Sequence, residues 1–374
     1  MISLPVISYT SPSLAEVMRS CMLRAGFSRC AQLQPFVLGN PKAWLGTAYH
    51  KVMEALPTIL RQGGDPMANS DAIWNAEIAR LERQAGSHPL NARFGPATSW
   101  KGYFLVQATL RLRVEEAMSA WTAASPGATA LSRTTREVEI AALGGKLRGK
   151  IDMIRGDDLI DYKTGSIFED DEISSASTVK PAYIRQLRIY AWLVHYSTGQ
   201  WVKRGLLYPL AGAPVEVAIV PANCDAEAAG AIALLDAYNA AVSAGTDSVA
   251  MASPSPGACR WCSFKPFCPA FWAAVNPGWS GQLDGEVIRG TVATLQPLLA
   301  PDAYSLVVSV DGGTVAPGTS VRLAPLPAQI HHALAGLTPG QSIVLTRLGR
   351  NSNGSLFPLL QTVLLRRSEV DALA

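Results

Sequence analysis

One short segment constrains the fold of this chain more than any other. Residues 149–165 read GKIDMIRGDDLIDYKTG, two alternating apolar runs on either side of a Gly-Asp-Asp turn. A two-residue loop at Gly156 and Asp157, with glycine first as in a type II′ turn, makes the two runs an antiparallel hairpin. This register sets Asp152 opposite Asp161. Opposed residues have Cβ atoms roughly 4.5–5.5 Å apart, so two carboxylates there repel each other unless a cation lies between them.

A lysine follows the second aspartate on the same face of the strand. Lys163 lies two residues beyond Asp161, whereas Tyr162 between them points the other way. Two carboxylates are hard oxygen ligands that suit Mg²⁺ or Mn²⁺. A neighbouring ammonium group can orient a water molecule or stabilise charge that develops on a phosphate. The pattern predicts metal-assisted phosphodiester hydrolysis; the alternative is a solvent-facing hairpin with ordinary surface charges.

The hairpin resembles the PD-(D/E)XK nuclease superfamily, and GKID followed by DYKTG resembles its RecB branch. Asp152 stands in the place of the first acid, preceded by Ile151 where the family has proline. Asp161, Tyr162 and Lys163 form the second motif. The resemblance implies a catalytic Asp-Asp-Lys set. It also implies a divalent metal held by the two aspartates with help from the backbone carbonyl of Tyr162.

Two further motifs extend the resemblance over roughly residues 8–275. QLRIY places Gln186 and Tyr190 at i and i+4 on one helix face, like the RecB-family Q-x-x-x-Y motif that shapes the metal site. GTAYHKVME places His50 on a helix with Glu54 one turn on, and in RecB-like exonucleases a histidine at this point is a metal ligand. Outside this context a helical Gln/Tyr pair is usually a half-buried polar edge, and a lone histidine is usually structural.

The cysteines form a separate pattern. CRWCSFKPFC contains Cys259, Cys262 and Cys268, and Cys21 lies far upstream. Three clustered thiolates and a remote one can make a four-thiolate site, although zinc usually takes two local pairs. The arrangement resembles iron–sulfur nucleases of the RecB branch, such as AddB and the CRISPR-associated adaptation nucleases, except that Met22 replaces the usual proline. The resemblance implies a structural [4Fe-4S] cluster; zinc and free buried thiols are the alternatives.

Composition bounds the class and the compartment. The chain has 374 residues, is 48% hydrophobic and 16% charged, and carries a formal net charge of +3. This length suits two domains, the apolar content excludes a disordered chain, and the charge is compatible with nucleic acid without requiring it. Without a basic leader or a long apolar run we predict a cytoplasmic protein with no membrane partner. Its cysteines are then not in disulfides, and we interpret Cys30 and Cys224 as small core or surface residues.

Apolar spacing and turn residues predict the remaining elements. Helices are expected from Ser11–Pro12 past Cys21, over 48–60, 70–84 and 97–121, and from Pro181, and an acidic, serine-rich loop is expected at 169–178. After Asn276, where lysine disappears, short strands are expected at 285–293, 305–310, 320–324, 342–348 and 357–365, with a helix near 328–337.

These elements predict two domains. The first, 1–275, is an α/β nuclease core with a central mixed sheet flanked by helices. The second, 276–374, has the strand and helix order of an OB-like β-barrel. It carries six arginines, six acids and few aromatic residues. We therefore expect it to dock onto the nuclease domain or a partner protein, with at most weak help in guiding a single strand.

Together the motifs predict a divalent-metal-dependent DNA nuclease, in particular an exonuclease acting on DNA ends or single strands, in repair, recombination or mobile-element defence. The rival interpretations are a catalytically silent scaffold that holds DNA or a protein partner, and a metal-dependent RNase. RecB-branch nucleases often work beside a helicase. This chain has no Walker A motif, so such a motor has to come from another chain.

Overall fold

The computed structural model describes residues 2–123, 134–169, 178–210 and 212–373. In chain order, a mixed sheet flanked by helices is followed by a nearly closed antiparallel barrel. Both parts confirm the fold class predicted from the sequence. Most of the predicted acidic, serine-rich loop lies outside the described residues. No helix within the described ranges has the length and apolarity to cross a bilayer.

The first helical segment is broken where the sequence predicted continuity. Helix α1 (Pro12–Ser20) starts as expected, with the Ser11 hydroxyl accepting a hydrogen bond from the Leu14 amide. It ends before Cys21, whose backbone is extended at φ −166° and ψ 113°, and α2 (Met22–Phe27) follows at once. Neither glycine nor proline marks this break, so it depends on tertiary packing. Its consequence is that Cys21 lies at a corner between two helices.

The helices at Pro41–Gln62 and Pro66–Gly86 extend beyond both predicted limits because their caps lie outside the apolar repeats, whereas the helix at Tyr103–Ala123 starts six residues after its predicted start. Helix α3, for example, begins seven residues before the predicted start, after Asn40, whose side chain accepts a hydrogen bond from the Lys42 amide. The long helices are α3 (Pro41–Gln62), α4 (Pro66–Gly86), α5 (Tyr103–Ala123), α6 (Pro181–Thr198) and α7 (Pro221–Ser243). The short ones are α8 (Pro256–Cys259), α9 (Pro269–Ala274) and α10 (Arg367–Asp371).

The first sheet has the order β1-β2-β3-β4-β5, with β3 and β4 parallel and the other neighbours antiparallel. Its strands are β1 (Thr134–Ala142), β2 (Leu147–Arg155), β3 (Asp158–Lys163), β4 (Arg204–Pro209) and β5 (Val215–Ala218). Helix α6 is the crossover between the parallel pair, as such a connection requires. Ile160 and Tyr162 of β3 join an apolar cluster with α3, whereas Leu159 joins another with α6. The hairpin is therefore covered from both sides.

The second sheet has the order β10-β9-β6-β7-β8, is antiparallel throughout and also pairs β11 with β9. Its strands are β6 (Glu286–Pro297), β7 (Ala303–Gly313), β8 (Ser320–Pro327), β9 (Ser342–Arg350), β10 (Leu356–Phe357) and β11 (Val363–Arg366). The predicted last strand is split because Pro358 cannot donate to a ladder. The predicted helix at 328–337 shrinks to one 3₁₀ turn at His332–Leu334, closed by Gly336 at φ +71°.

The barrel shares apolar core with the α/β part that precedes it. Val363, Leu365 and Val370 belong to the same cluster of buried side chains as Leu45 of α3 and Phe94. The domain boundary predicted at residue 276 therefore does not separate two independent apolar cores. We keep 1–275 and 276–374 as proposed domains, joined by an apolar contact.

Two buried polar contacts cross the same junction. The guanidinium of Arg93 donates hydrogen bonds to three barrel carbonyls, those of Ile330 at 2.9 Å, Leu360 at 3.3 Å and Thr362 at 2.6 Å. Burial, with a smaller contribution from the charge of Arg347, lowers the pKa of Arg93 to about 10. Charged donors form stronger hydrogen bonds than neutral ones, so this contact fixes the barrel against the α/β part.

The second contact begins in the cysteine segment. Lys265 is 2% exposed, and its ammonium donates to the carbonyls of Cys259 at 3.1 Å and Arg260 at 3.0 Å. It also pairs with Asp284 at 2.5 Å, and the other oxygen of Asp284 accepts from Arg347 of β9 at 2.7 Å. Burial lowers the Lys265 pKa, while Asp284 opposes that shift. This chain of charges ties the cysteine segment to the barrel.

Candidate active site

The hairpin has the register predicted from its turn. Gly156 has φ +61°, and the paired residues are Arg155 with Asp158, Ile154 with Leu159 and Met153 with Ile160. The backbone ladder ends there, so Asp152 and Asp161 are not a backbone pair as the simple extrapolation predicted. Instead, the Asp152 carboxylate replaces the next ladder acceptor, because its Oδ2 accepts a hydrogen bond from the Tyr162 amide at 2.8 Å. This bond fixes the first acid beside the second motif.

Helix α3 brings His50 to the first acid. The Nδ1 atom of His50 lies 3.3 Å from Asp152 Oδ1, and the two side chains are 28% and 13% exposed. Burial opposes protonation of His50, but the hydrogen bond and charge of Asp152 outweigh it and raise the His50 pKa. The structure thus places the predicted histidine in contact with the predicted carboxylate, although they are far apart in sequence.

Asp161 is the most buried acid of the hairpin. It is 3% exposed, its Oδ1 accepts a hydrogen bond from Gln186 Nε2 at 3.1 Å, and its Oδ2 lies 2.6 Å from Lys163 Nζ. Within the described ranges no well-oriented hydrogen-bond donor faces that Oδ2 atom. Burial raises the pKa of Asp161 to about 6, although the charge of Lys163 acts in the opposite direction. Oδ2 of Asp161 therefore has the positive charge of Lys163 beside it, but it accepts no well-oriented hydrogen bond from the described residues.

Helix α6 holds Lys163 in place. Lys163 Nζ donates to Gln186 Oε1 at 2.9 Å, and Gln186 Nε2 also donates to the Tyr190 hydroxyl at 3.0 Å. The ring of Tyr183 lies 4.5 Å from the ammonium, a cation–π contact that the sequence analysis missed. Its signal was present, because Tyr183 lies three residues before Gln186 on the same helix. Burial raises the Tyr190 pKa, so its hydroxyl remains protonated.

Tyr162 contributes its backbone here, while its side chain belongs to the core. The ring packs edge-on against Tyr49 and Tyr208 at centroid distances of 6.3 and 5.7 Å. Its amide is the donor that fixes Asp152, as described above. This side chain was predicted to point away from Asp161 and Lys163, and its place in the buried α3 cluster agrees with that direction.

A cleft of about 360 Å³ opens at His50 and Asp152. Its lining also includes Gly46, Thr47, Lys51, Glu54, Lys150 and Thr164. Glu54 pairs with Lys150 at 3.3 Å and with Lys51 at 3.5 Å, so both lysines are anchored at the rim. A Cβ on Gly46 would lie 2.7 Å from the Thr164 hydroxyl, so only glycine lets α3 approach the loop after β3 this closely.

The donor set fits a hard cation in chemistry, but its spacing is not that of a formed metal site. Two carboxylates and an imidazole are suitable ligands for Mg²⁺ or Mn²⁺. Oδ2 of Asp161 offers an acceptor that lies 2.6 Å from the Lys163 ammonium. Across the described ranges, however, no three His, Cys, Asp or Glu side chains are arranged to hold one metal ion.

The four predicted cluster cysteines line one cavity of about 20 Å³. They are Cys21 at the corner after α1, Cys259 at the end of α8, Cys262, and Cys268, whose Sγ accepts a hydrogen bond from the Phe271 amide at 3.3 Å. Burial raises the pKa of Cys259 and of Cys262, and it raises that of Cys268 to about 12. The cavity wall is otherwise largely apolar, with Leu23, Phe27, Phe264 and Phe271 among its side chains.

The remaining cysteines lie elsewhere. Cys30 and Cys224 are buried, so of the two predicted settings, core or surface, the structure gives the core. Cys30 donates to the Gly26 carbonyl at 3.5 Å from sulfur. The fold therefore places four of the six cysteines around one cavity and two in the core.

Comparison with known proteins gives one family. A family model described as the PD-(D/E)XK nuclease superfamily matches residues 9–269, which is more than half of the chain. The matched range contains the hairpin, His50, the Gln186–Tyr190 pair and all four cavity cysteines. No curated protein shows a significant match to the chain.

Proposed function

The chain belongs to the PD-(D/E)XK nuclease superfamily, and from this premise we propose that it is a divalent-metal-dependent DNA nuclease acting on DNA ends or single strands. The observation that carries the proposal is the environment of Asp161. A buried carboxylate faces a lysine at 2.6 Å and keeps one oxygen without an oriented donor. Burial of such a carboxylate does not favour the stability of the fold, because the cost of desolvation is large. A functional role accounts for its retention.

We propose that Asp152, Asp161 and His50 hold Mg²⁺ or Mn²⁺, with the backbone carbonyl of Tyr162 as a further ligand. Members of this superfamily typically use divalent metals, and a bound metal lowers the pKa of its water to about 7. The protein contributes placement: the Tyr162 amide orients Asp152, and Gln186 orients Asp161. These hydrogen bonds thus hold both carboxylates in a fixed orientation as candidate ligands.

Lys163 is the proposed catalytic cation. Its ammonium is held by Gln186 at 2.9 Å and by the ring of Tyr183 at 4.5 Å, independently of Asp161. With a metal bound at Asp161, these two contacts would keep Lys163 in its place next to that carboxylate. There it is placed to orient the attacking water and to stabilise charge on the phosphate oxygens. Tyr190 fixes the orientation of the Gln186 amide and so shapes the site indirectly, through Gln186.

We further propose that Cys21, Cys259, Cys262 and Cys268 ligate a [4Fe-4S] cluster, as in the RecB-like branch. The support is their shared cavity and its largely apolar wall. Such a cluster would fasten the corner after α1 to the segment before the barrel, and its role would be structural. Zinc on the same thiolates is the alternative. Iron and zinc analysis of anaerobically purified protein separates them, with about four irons per chain expected for the cluster.

We propose that the chain belongs to the RecB-like branch of the superfamily, because of the resemblance of its motifs, and the pathway proposal depends on this. Such an enzyme would serve DNA repair, recombination or mobile-element defence, in the cytoplasm, with a helicase or another protein partner supplied by a different chain. The division into a nuclease domain at 1–275 and a barrel at 276–374 is part of this proposal.

A substrate panel tests the activity. Purified protein is incubated with labelled linear, circular and single-stranded DNA and with RNA, in Mg²⁺, in Mn²⁺ and in chelator. We expect metal-dependent cutting of linear or single-stranded DNA and loss of cutting in Lys163→Ala. Lys203→Ala is the control, since Lys203 pairs with Asp157 at the opposite end of β3. Cutting of RNA alone would select the RNase interpretation. Binding of DNA without cutting in any metal would select the scaffold.

A further inference from the structure

A second cavity lies beside the active-site cleft. It has a volume of about 440 Å³ and lies where the start of α3, the segment before α5 and the barrel meet. Its side chains include Lys42, Phe94, Ser99, Trp100, Lys101 and Gln361, together with Arg93 and Leu360. We call it the junction groove. Because Leu360 and Gln361 belong to the barrel, neither proposed domain forms this groove alone.

The junction groove is lined by positive charge. Its cationic residues are Lys42, Arg93 and Lys101, and its lining contains no carboxylate. Lys42 and Lys101 are exposed, and within the described part of the chain no carboxylate forms an ion pair with either. Arg93 donates only to backbone carbonyls, and its Nε atom has no partner among the described residues. Three charges without a counter-charge make this wall attractive to an anion.

The groove and the active-site cleft share one helix. Lys42 lines the junction groove, and the next residue, Ala43, lines the active-site cleft together with His50. Lys42 and His50 are eight residues apart on α3, which corresponds to about 12 Å at a rise of about 1.5 Å per residue. A strand that keeps the duplex spacing of about 3.4 Å per nucleotide covers that distance with about three to four nucleotides, and an extended strand needs fewer. The groove therefore lies within reach of the strand that occupies the active site.

We propose that the junction groove binds the sugar–phosphate backbone of a single nucleic-acid strand, at most about four nucleotides from the phosphate being cut. The stated separation between the groove and the cut phosphate rests on the proposed nuclease function. The backbone is the part recognised, because the aromatic side chains of the groove, Phe94 and Trp100, are only 6% and 3% exposed and offer no stacking face. Lysine side chains meet phosphates as mobile point charges, so the contact is independent of sequence.

Binding without metal tests this inference separately from catalysis. Fluorescence anisotropy in chelator measures the affinity of the full chain for a labelled single strand of about 12 nucleotides, between about 50 and 200 mM salt. We expect Lys42→Ala/Lys101→Ala to bind roughly tenfold more weakly at low salt. The slope of log affinity against log salt should fall by about 0.7 for each lysine removed. Lys42→Arg/Lys101→Arg should retain both values, because the charges remain.

Lys203→Ala is the matched control for removal of one exposed charge, and it should leave affinity and slope unchanged. The inference is overturned if wild type binds no single strand. It is also overturned if the double alanine variant binds like wild type, or loses affinity with an unchanged salt slope. Because the assay contains no metal and scores no cutting, an inactive wild type would refute the proposed nuclease without altering this result.

Discussion

Lys163 Nζ lies 2.6 Å from Asp161 Oδ2, and both side chains are turned towards Gln186 of α6. The lysine and the acid are two residues apart on β3, but their arrangement is set by a helix that begins eighteen residues after the strand ends. The Gln186 side-chain amide accepts a hydrogen bond from Lys163 and donates one to Asp161. Gln186 therefore couples the proposed catalytic cation to the proposed metal ligand.

The first prediction concerns Gln186. Gln186→Ala removes the donor to Asp161 and the acceptor of Lys163, so both groups lose their orientation. Loss of such an outer partner typically costs about 10–100-fold in metal affinity or activity. Steady-state cleavage at saturating Mn²⁺ measures it. Tyr190→Phe removes only the hydroxyl that accepts from Gln186 and should cost less than Gln186→Ala; an equal or larger loss would contradict this order of contacts.

The second prediction is a pH dependence of stability without metal. Burial raises the pKa of Asp161 from 3.8 to about 6, so between these values the folded state binds a proton that the unfolded state has lost. The stabilisation from this group is complete below the unfolded value and is lost as pH rises through about 6, by at most about 3 kcal/mol.

Urea unfolding in chelator at pH 4.5 and pH 7 measures this change. Asp161→Asn does not titrate, so the difference between wild type and the variant isolates the carboxyl from the other ionisable groups. The free energy of unfolding of Asp161→Asn relative to that of wild type should be greater at pH 7 than at pH 4.5. A difference that is constant across the window would show that Asp161 has an ordinary pKa.

The third prediction concerns the link between the cysteine segment and the barrel. Asp284→Asn leaves Lys265 and Arg347 without their shared carboxylate, and loss of one partner of a buried pair costs about 3–5 kcal/mol. Asp311→Asn is the matched control, because Asp311 pairs with Arg289 at the surface and is 52% exposed; such pairs contribute about 0–1 kcal/mol.

Denaturant unfolding and iron content report the result. Since Lys265 also holds the carbonyls of Cys259 and Arg260, we expect Asp284→Asn to retain less iron than wild type or Asp311→Asn. Equal stability and equal iron content in the two variants would show that the charge chain has no structural role.

The fourth prediction concerns the approach of α3 to the hairpin. Gly46→Ala places a Cβ 2.7 Å from the Thr164 hydroxyl, closer than packed atoms allow. Overpacking of this kind costs about 1–3 kcal/mol. The thermal midpoint of the metal-free protein should fall, and Gly46→Ala/Thr164→Ala should recover much of the loss because the clashing oxygen is gone. No recovery in the double variant would place the strain elsewhere.

Local rules were enough to predict the hairpin. The two-residue loop at Gly156 fixes the pairing of its neighbours, and the i, i+4 spacing fixes Gln186 above Tyr190. The end of the ladder at Met153 was not predictable from pairing alone. It depends on the side chain of Asp152 replacing a backbone acceptor, a competition that strand periodicity does not describe.

Contacts between distant segments were beyond the sequence. Lys265, Asp284 and Arg347 lie in three segments whose meeting depends on the docked barrel, and the break at Cys21 has no glycine or proline to mark it. Pro358, by contrast, was visible as a strand breaker, and the single strand predicted at 357–365 was an error of interpretation. Composition likewise indicated a barrel without basic character, because the charge of the junction groove comes from the other half of the chain.

The central claim is that Asp152 and Asp161 hold the metal that cuts DNA. The most direct measurement is the rate at which one labelled single strand is cut by wild type and by Asp152→Asn, in Mn²⁺ and in chelator. We predict cutting by wild type in Mn²⁺ only, and a rate lower by about a thousandfold in the variant, since it lacks a charged ligand at the reacting phosphate. Equal rates for the two proteins, or cutting by wild type in chelator, would contradict the account.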